Sequence, residues 1–570
     1  MRCAYMVFRR IFLSAFGRPW YDKEQPLPRR FFAFCAGAVI AIISGAALGL
    51  AFPLTDIFPL AWIAFVPLLV MQRGISVKRM WLFAFLAGMS FWLVLAYWMH
   101  VFHVMALFTA VPALALYFSL PFLFLSVWQR ISRDRFPWLD PLLFSLFWAG
   151  VEYFRSTGFL GYSWGLAGYS QTAFLPILQI ADIAGVWGVS FLVVFANAVV
   201  AYLFRQDTRR RKRILLCCLG ALLGFSLLYG ALRLSEKPSG AEYKVHLIQA
   251  FVDPETDWAR DRYAETMQKI TDLTLQAGKG GGDLIIWPET LSHPPGMYYW
   301  KYLRMAPEDN SDRRIAEWFV GMPDRAGRAV LLTAPHRDRV AVTNVTGSPG
   351  LEMQSYNAAF LVTPGTNVLD SYYKINLVPF GEWFPYKKEF PFVAKILRDT
   401  VASDFTPGTR YTVFRERDTA FSVVICFEDI FGGLCRQFVL GGAEFLINTT
   451  NDYWSRSVQS QEQHAAMAIL RAIENRRYMV RAANTGVTCV IDAWGRMQAR
   501  LPNHTVGILD GNISLMRGYG QSVYTRHGDF LGIAGAYLGG LALVLGLLFN
   551  LYKGLQTGFR AAWKTYANEE

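Results

Sequence analysis

Long apolar segments fill the first 234 residues of this 570-residue chain and recur near its end. They fall near 32–52, 57–72, 80–102, 104–128, 137–154, 181–204, 214–233 and 530–552. A helix needs ~20 mostly apolar residues to cross a bilayer. Backbone in lipid must also satisfy its own hydrogen bonds, so such segments are confined to helices. The second segment is short and broken by Pro59 and Pro67, which suits a tilted or re-entrant piece. Overall composition agrees: 17% of residues are charged and 53% hydrophobic, against about 25% charged in an average globular chain. The chain therefore reads as a membrane domain over 1–234, a soluble domain over 235–527 and a final helix with a tail over 528–570. The basic N-terminal stretch has no small-residue cleavage site after a short apolar core, so no removable signal peptide is expected.

Charge sets the expected topology. The formal net charge is +13, and it is not spread evenly. Lys and Arg gather in the N-terminal arm, in Arg73–Arg79, in Arg130–Arg135, in Arg205–Arg213 and after Lys553. Those segments alternate with loops that carry almost no charge: Leu54–Asp56, His103 and 155–174. Basic loops stay on the cytoplasmic side. The N-terminus is then cytoplasmic, seven spans place 235–527 outside, and the eighth returns the C-terminus. The basic balance is thus topology and membrane-surface charge rather than a nucleic-acid footprint. Glu152 and Arg155, one helical step apart at the end of a span, read as a structural pair beside interface aromatics.

The soluble segment alternates short apolar runs with helical periodicity. Strands are expected at Val245–Gln249, Leu284–Trp287, Val330–Ala334, Ala358–Val362, Phe421–Cys426, Phe445–Thr449 and Val487–Ile491. Ala259–Gln276 and Gln461–Asn475 have helix-like apolar spacing. Such alternation predicts an α/β domain of two packed sheets with helices outside.

Two of these runs, and a further stretch that begins at Tyr372, lead into reactive side chains. Asp283-Leu-Ile-Ile-Trp-Pro-Glu289 delivers a carboxylate, Tyr372-Tyr-Lys-Ile-Asn-Leu-Val-Pro-Phe-Gly-Glu382 delivers Lys374 and then Glu382, and Phe421-Ser-Val-Val-Ile-Cys426 delivers a thiol. Singly, a cysteine on a β run is more often a small buried hydrophobe than a nucleophile. Together the three make an acyl-transfer set: a carboxylate takes the thiol proton, the thiolate attacks a carbonyl, and an ammonium stabilises the oxyanion. The seven cysteines (3, 35, 217, 218, 426, 435 and 489) lack zinc or disulfide spacing, so neither a metal nor another cofactor is expected.

Trp287-Pro-Glu289, Tyr373-Lys374 with Leu377-Val-Pro-Phe-Gly-Glu382, and Ile425-Cys-Phe-Glu428 resemble the Glu-Lys-Cys motifs of the nitrilase superfamily. With the flanking spans, the chain resembles the bacterial apolipoprotein N-acyltransferase family over nearly its whole length. Asn451-Asp-Tyr-Trp454, Gln463-His464 through Glu474 and Arg481-Ala-Ala-Asn-Thr-Gly486 match it too. The resemblance implies an α-β-β-α sandwich on an eight-helix membrane base, in the bacterial inner membrane with the catalytic domain periplasmic. It implies Glu289 as general base, Lys374 as oxyanion stabiliser and Cys426 as nucleophile. Glu382 would orient Lys374, and Glu428 and Trp258 would support the site or substrate. The implied reaction moves the sn-1 acyl chain of a phospholipid to Cys426 as a thioester, then to the amine of a diacylglyceryl-cysteine apolipoprotein. The protein is expected to act as a monomer.

Two positions depart from the family pattern. Phe427 stands where a tyrosine is common, and Gln249-Ala-Phe251 replaces Gln-Gly-Asn. Aromatic, partly basic stretches, Met297–Trp300 and Phe384–Ile396 with Lys387 and Lys388, are candidate walls of an acyl groove. The same triad would also serve a membrane-anchored amidase or nitrilase with water as acceptor, but a soluble amidase needs no spans. A receptor with a dead nitrilase-like domain would be expected to have lost one of Glu289, Lys374 or Cys426.

Overall fold

The computed structural model describes residues 27–567, except 73–74, 102–103, 159–160, 239, 254–255, 258–260, 290, 292–306, 308–310, 344–348, 366 and 384–403. Trp258 and the two candidate groove walls, 297–300 and 384–396, lie outside the described residues. The chain divides into two compact units. One holds 1–157, 163–232 and 529–570, and the other holds 158–162 and 233–528.

The first unit is helical: α1 (Leu27–Gly49), α2 (Val66–Met71), α3 (Val77–Ala96), α4 (Val104–Ile131), α5 (Asp140–Ser156), α6 (Ala181–Leu203), α7 (Arg209–Ser235) and, at the chain's end, α14 (Phe530–Ala567). Among the described residues, six helices are long and apolar enough to cross a membrane. The expected span at 57–72 is not one helix. Pro59 opens a 3-10 turn at Phe58–Trp62, and Pro67 opens α2 at its first turn, where a missing N–H costs nothing. The expected span at 137–154 becomes the 17-residue α5.

The outer surfaces of α7 and α14 are apolar. Leu228 and Leu232 on α7, and Tyr537, Leu545 and Leu548 on α14, are all more than half exposed. Apolar surface of that kind suits helices that face hydrocarbon. Glycines let α14 approach α5. A Cβ at Gly150 would strike the backbone of Gly535 and Ala536, and one at Gly535 would strike the Leu146 carbonyl. Glu152 and Arg155 pin the loop beyond α5. Glu152 Oε1 accepts from Trp148 Nε1 at 2.8 Å and from the Ala167 N–H at 2.7 Å, while Arg155 Nη1 donates to the Trp164 carbonyl at 2.8 Å.

The second unit is a sandwich of two six-stranded sheets. One runs β12-β1-β2-β3-β4-β5 and the other β11-β10-β9-β8-β7-β6. Their ranges are β1 Glu242–Gln249, β2 Leu284–Ile286, β3 Ala329–Thr343, β4 Pro349–Thr363, β5 Asn367–Tyr373, β6 Phe414–Glu416, β7 Thr419–Ile425, β8 Phe445–Thr450, β9 Tyr478–Ala483, β10 Cys489–Ile491, β11 Met497–Arg500 and β12 Gly507–Ser514. Each sheet has a parallel centre (β1-β2-β3 and β7-β8-β9) flanked by antiparallel strands.

Strand alternation assigns the faces. Val330, Leu332 and Ala334 of β3 join the core that packs against α8 (Tyr263–Lys279), α9 (Ser311–Val320) and α10 (Met322–Ala326). The alternate residue Thr333 points to the other sheet, donating to Thr449 at 3.1 Å. Tyr243 likewise meets Phe445 across the interior. Helices α11 (Gly432–Leu440) and α12 (Val458–Asn475) accompany the second sheet; a short α13 (Val523–His527) ends this unit. This is the α-β-β-α architecture, and it carries the carboxyl ends of β2, β7 and β8 to one place.

Candidate active site

Cys426 follows β7 directly and takes a left-handed backbone conformation, φ +52°. For a residue with a Cβ this costs about 1–3 kcal/mol, and it persists only where surroundings enforce it. Here Asn448 Nδ2, from the neighbouring β8, donates to the Cys426 carbonyl at 2.9 Å. The chain then turns sharply through Cys426–Ile430 into α11. Glu428 lies in that turn and fixes it: Oε2 accepts from the Ile425 N–H at 2.8 Å, while Oε1 accepts from Tyr372 Oη at 2.7 Å, Ile375 N–H at 2.8 Å and Asn376 N–H at 2.9 Å. One carboxylate thus joins the turn at Cys426 to the stretch that bears Lys374. Burial pushes the Glu428 carboxyl up to about 7, against Lys374 and these donors, which favour the charged form.

Lys374 follows β5. Its N–H donates to the Asn357 carbonyl at 2.8 Å, extending the β4–β5 pairing by one residue. Its ammonium is fully buried, with Nζ 2.8 Å from Glu382 Oε1 and 3.8 Å from Glu289 Oε1. Burial alone would strip the proton from such a lysine; Glu382 and Glu289 reverse that and hold it charged. The turn Val378-Pro-Phe-Gly-Glu382 folds Glu382 back, its N–H bonded to the Val378 carbonyl and its Oε2 accepting from the Val378 N–H at 2.8 Å.

Glu289 lies three residues past β2. Oε2 accepts from the Asn451 N–H at 3.1 Å, and Oε1 accepts from Asn357 Nδ2 at 2.8 Å. The same Asn357 Nδ2 donates to Glu382 Oε1 at 2.9 Å. Two carboxylates therefore share one ammonium and one amide, and a negative charge is left in excess. Burial, helped by Glu382, pushes the Glu289 carboxyl up despite Lys374. A carboxylate so raised is a better proton acceptor near neutral pH. The Cys426 thiol is pushed well up by burial and by Glu289, with Lys374 opposing, so the sulfur rests as a thiol.

The structure thus gathers Glu289, Lys374, Glu382, Cys426 and Glu428. Phe427 is half-buried and packs by its ring, stacked with Tyr162 at 6.3 Å and edge-on to Phe431 at 5.3 Å. A phenylalanine is enough for that packing. Asn357 was missed by sequence reasoning: its place opposite Lys374 depends on the β4–β5 register, which no local pattern encodes. Among the described residues, no group of three or more His, Cys, Asp or Glu is placed to hold a metal ion.

Comparison with known proteins locates this arrangement. Residues 44–199 match the apolipoprotein N-acyltransferase N-terminal domain, and 244–519 match the carbon-nitrogen hydrolase domain. The apolipoprotein N-acyltransferase of Geobacter metallireducens is 32% identical over 92% of this chain and 96% of its own length. The chain belongs to the apolipoprotein N-acyltransferase family. The family member from Chlorobaculum tepidum is 32% identical over 89% of this chain and 96% of its own. Apolipoprotein N-acyltransferase 1 of Treponema denticola is 29% identical over 92% and 98%. Among solved structures, the nitrilase-superfamily protein Nit3 of Saccharomyces cerevisiae covers 50% of this chain and 94% of its own, at 17% identity and TM-score 0.34. Membership makes this chain a bacterial membrane acyltransferase that joins a helical membrane domain to a carbon-nitrogen hydrolase domain.

Proposed function

We propose that this protein moves a fatty acyl chain from the sn-1 position of a phospholipid to the N-terminal amine of a diacylglyceryl-cysteine apolipoprotein, through a thioester on Cys426. The observation that carries the assignment of roles is the buried ammonium of Lys374 between Glu289 and Glu382, beside the strand-end thiol. Glu289 takes the proton from Cys426. The thiolate attacks the ester carbonyl, and Lys374 stabilises the oxyanion. The proton returns from Glu289 to the departing lyso-phospholipid oxygen. In the second half-reaction Glu289 takes a proton from the attacking amine, the thiolate leaves and the amide forms. Glu382 and Asn357 keep Lys374 and Glu289 in place, and Glu428 holds the turn.

Both substrates are bilayer lipids, which accounts for the apolar helices: withdrawing an acyl chain from lipid costs ~0.8 kcal/mol per CH₂. The alternation of basic and uncharged loops supports an inner-membrane, multi-pass protein with 235–527 on the periplasmic side. The protein works as a monomer in this reading.

Incubation with a phospholipid labelled in its sn-1 chain, followed by mass spectrometry of the peptide bearing residue 426, tests it. The wild type carries the acyl mass and Cys426→Ala does not. Adding a diacylglyceryl peptide then discharges the label onto its amine. Label that persists on the alanine variant excludes Cys426 as carrier, and discharge to free fatty acid alone makes the protein a hydrolase.

A further inference from the structure

The second sheet buries a charged cluster that the chemistry above does not use. Arg481 of β9, Asn448 of β8 and Val424 of β7 lie in register across three parallel strands. Thr449 points to the other sheet, so this row faces the opposite way. Arg481 donates through Nη1 to Asp429 Oδ2 at 2.7 Å and to Asn448 Oδ1 at 3.0 Å, and through Nη2 to Asp452 Oδ2 at 2.8 Å. The His464 ring of α12 bridges the same two carboxylates, with Nε2 2.8 Å from Asp429 and Nδ1 2.9 Å from Asp452. All four charged side chains are buried. Burying ions costs several kcal/mol each, and Val424 shows that an apolar side chain fits this row. Packing alone therefore does not call for an arginine here.

Each partner of the guanidinium leads to a reacting residue. Asp429 lies within the turn Cys426–Ile430. Asn448, held by Arg481 at its Oδ1, donates Nδ2 to the Cys426 carbonyl at 2.9 Å. On the other limb, Asp452 opens the turn Asp452–Ser455, and Asn451 just before it donates its N–H to Glu289 Oε2 at 3.1 Å. Asp452 packs so closely on Gly486 that a Cβ there would collide with it. We infer that Arg481 is a positioning residue for the acyl transfer. Its fork locks the turn bearing Cys426 and the turn that holds Glu289 into one frame, so the sulfur and its proton acceptor keep a fixed relation through both half-reactions. Arg481 acts through Asp429, Asn448 and Asp452. A guanidinium suits this task because its donors lie in one plane at fixed angles, whereas a lysine is a point charge on a flexible stem. A lysine would neutralise the two carboxylates without fixing the angle between them.

The inference rests on Cys426 as acyl carrier and Glu289 as its base, and the experiment separates the two levels. The full-length protein in detergent micelles is mixed with phosphatidylethanolamine labelled in its sn-1 chain. Single-turnover acylation is followed over a range of lipid concentrations. Arg481→Lys keeps the charge and loses the fork. Its rate constant at saturating lipid is expected to fall about 100-fold, the scale of a misplacement of about 1 Å. The half-saturating lipid concentration and the final extent of labelling should not change. Asp452→Asn keeps the shape and weakens the limb to Glu289, so it should slow acylation in the same way. Because both substitutions break one link, the double variant should be slowed by less than the product of the two single effects. Asp452→Asn carries the test by itself if the lysine variant does not fold. A wild-type rate constant, a lower extent of labelling at an unchanged rate, a change confined to the half-saturating concentration, or fully multiplicative effects each overturn the positioning role while leaving Cys426 as carrier. Label on Cys426→Ala would instead overturn the reading beneath it.

Discussion

Asn357 and His464 show how single residues set the charge state of this site. Asn357 is the neutral member of a group holding two carboxylates and one ammonium. Asn357→Asp adds a third carboxylate there. Acylation of Cys426 at pH 7 is expected to fall at least ~100-fold, the scale of a lost transition-state stabiliser. Part should return as the pH is lowered and the added charge is neutralised, so a single-turnover pH series distinguishes charge from packing. Lys374→Met leaves Glu289 and Glu382 buried face to face. Breaking a buried pair costs roughly 3–5 kcal/mol, so acylation should vanish and the apparent Tm should fall together.

His464 gives the sign of a pH effect on stability. Burial and Arg481 oppose its proton, but Asp429 and Asp452 prevail and push it up to about 8 from the ordinary 6.5. A histidine raised in the folded state contributes its full stabilisation below about pH 6.5 and loses it as the pH passes about 8. That difference corresponds to roughly 2 kcal/mol. Glu428, also raised, loses stability with rising pH as well, so the informative quantity is the gap between wild type and His464→Gln. The gap in apparent Tm should be largest near pH 6 and close by pH 9. A gap independent of pH would show that the ring acts by packing alone.

At the scale of elements, glycine marks the tightest approaches. Gly150 of α5 meets Gly535 and Ala536 of α14 backbone to backbone, and no side chain fits. Gly535→Val should part the two helices. Overpacking costs typically 1–3 kcal/mol, and without hydrophobic drive in lipid the pair depends on close contact. Limited proteolysis after residue 529 checks this: α14 should be released faster from the variant, and equal rates would show the contact to be dispensable. The elements also divide by how well sequence announced them. β7 ends in Val423-Val-Ile425 and β8 opens with Phe445-Leu-Ile447, apolar runs that were legible at once. β9 is as central as either, yet Tyr478-Met-Val-Arg-Ala-Ala carries Arg481 in its middle, so it did not read as a buried strand. The arginine is tolerated because Asp429 and Asp452 meet it from neighbouring turns. The 137–154 span and the 57–72 segment read as crossings because apolar content was legible, while their lengths were trimmed by turns and prolines.

For the whole molecule, the unequal loop charges make a prediction about sides. With Cys217 and Cys218 changed to serine, Lys237→Cys should react in intact spheroplasts with a membrane-impermeant maleimide, and Arg135→Cys should react only after lysis. The reverse pattern would invert the orientation drawn from the basic loops.

Sequence by itself determined three things: that much of this chain belongs in lipid, that an α/β domain is held between spans, and that three strand ends carry a carboxylate, an ammonium and a thiol. Those follow from local rules, since apolar length, loop charge and strand periodicity are each written in contiguous residues. Tertiary structure decided the rest. It set the left-handed turn at Cys426, the register that puts Asn357 across from Lys374, and the sharing of one ammonium by Glu289 and Glu382. It also assembled Asp429, Asp452, His464 and Arg481 into one buried cluster from four separate stretches. A hydrogen bond or an ion pair is fixed by distance in space, and Glu289 and Lys374 from one sheet come to Cys426 of the other only when the two sheets close on each other.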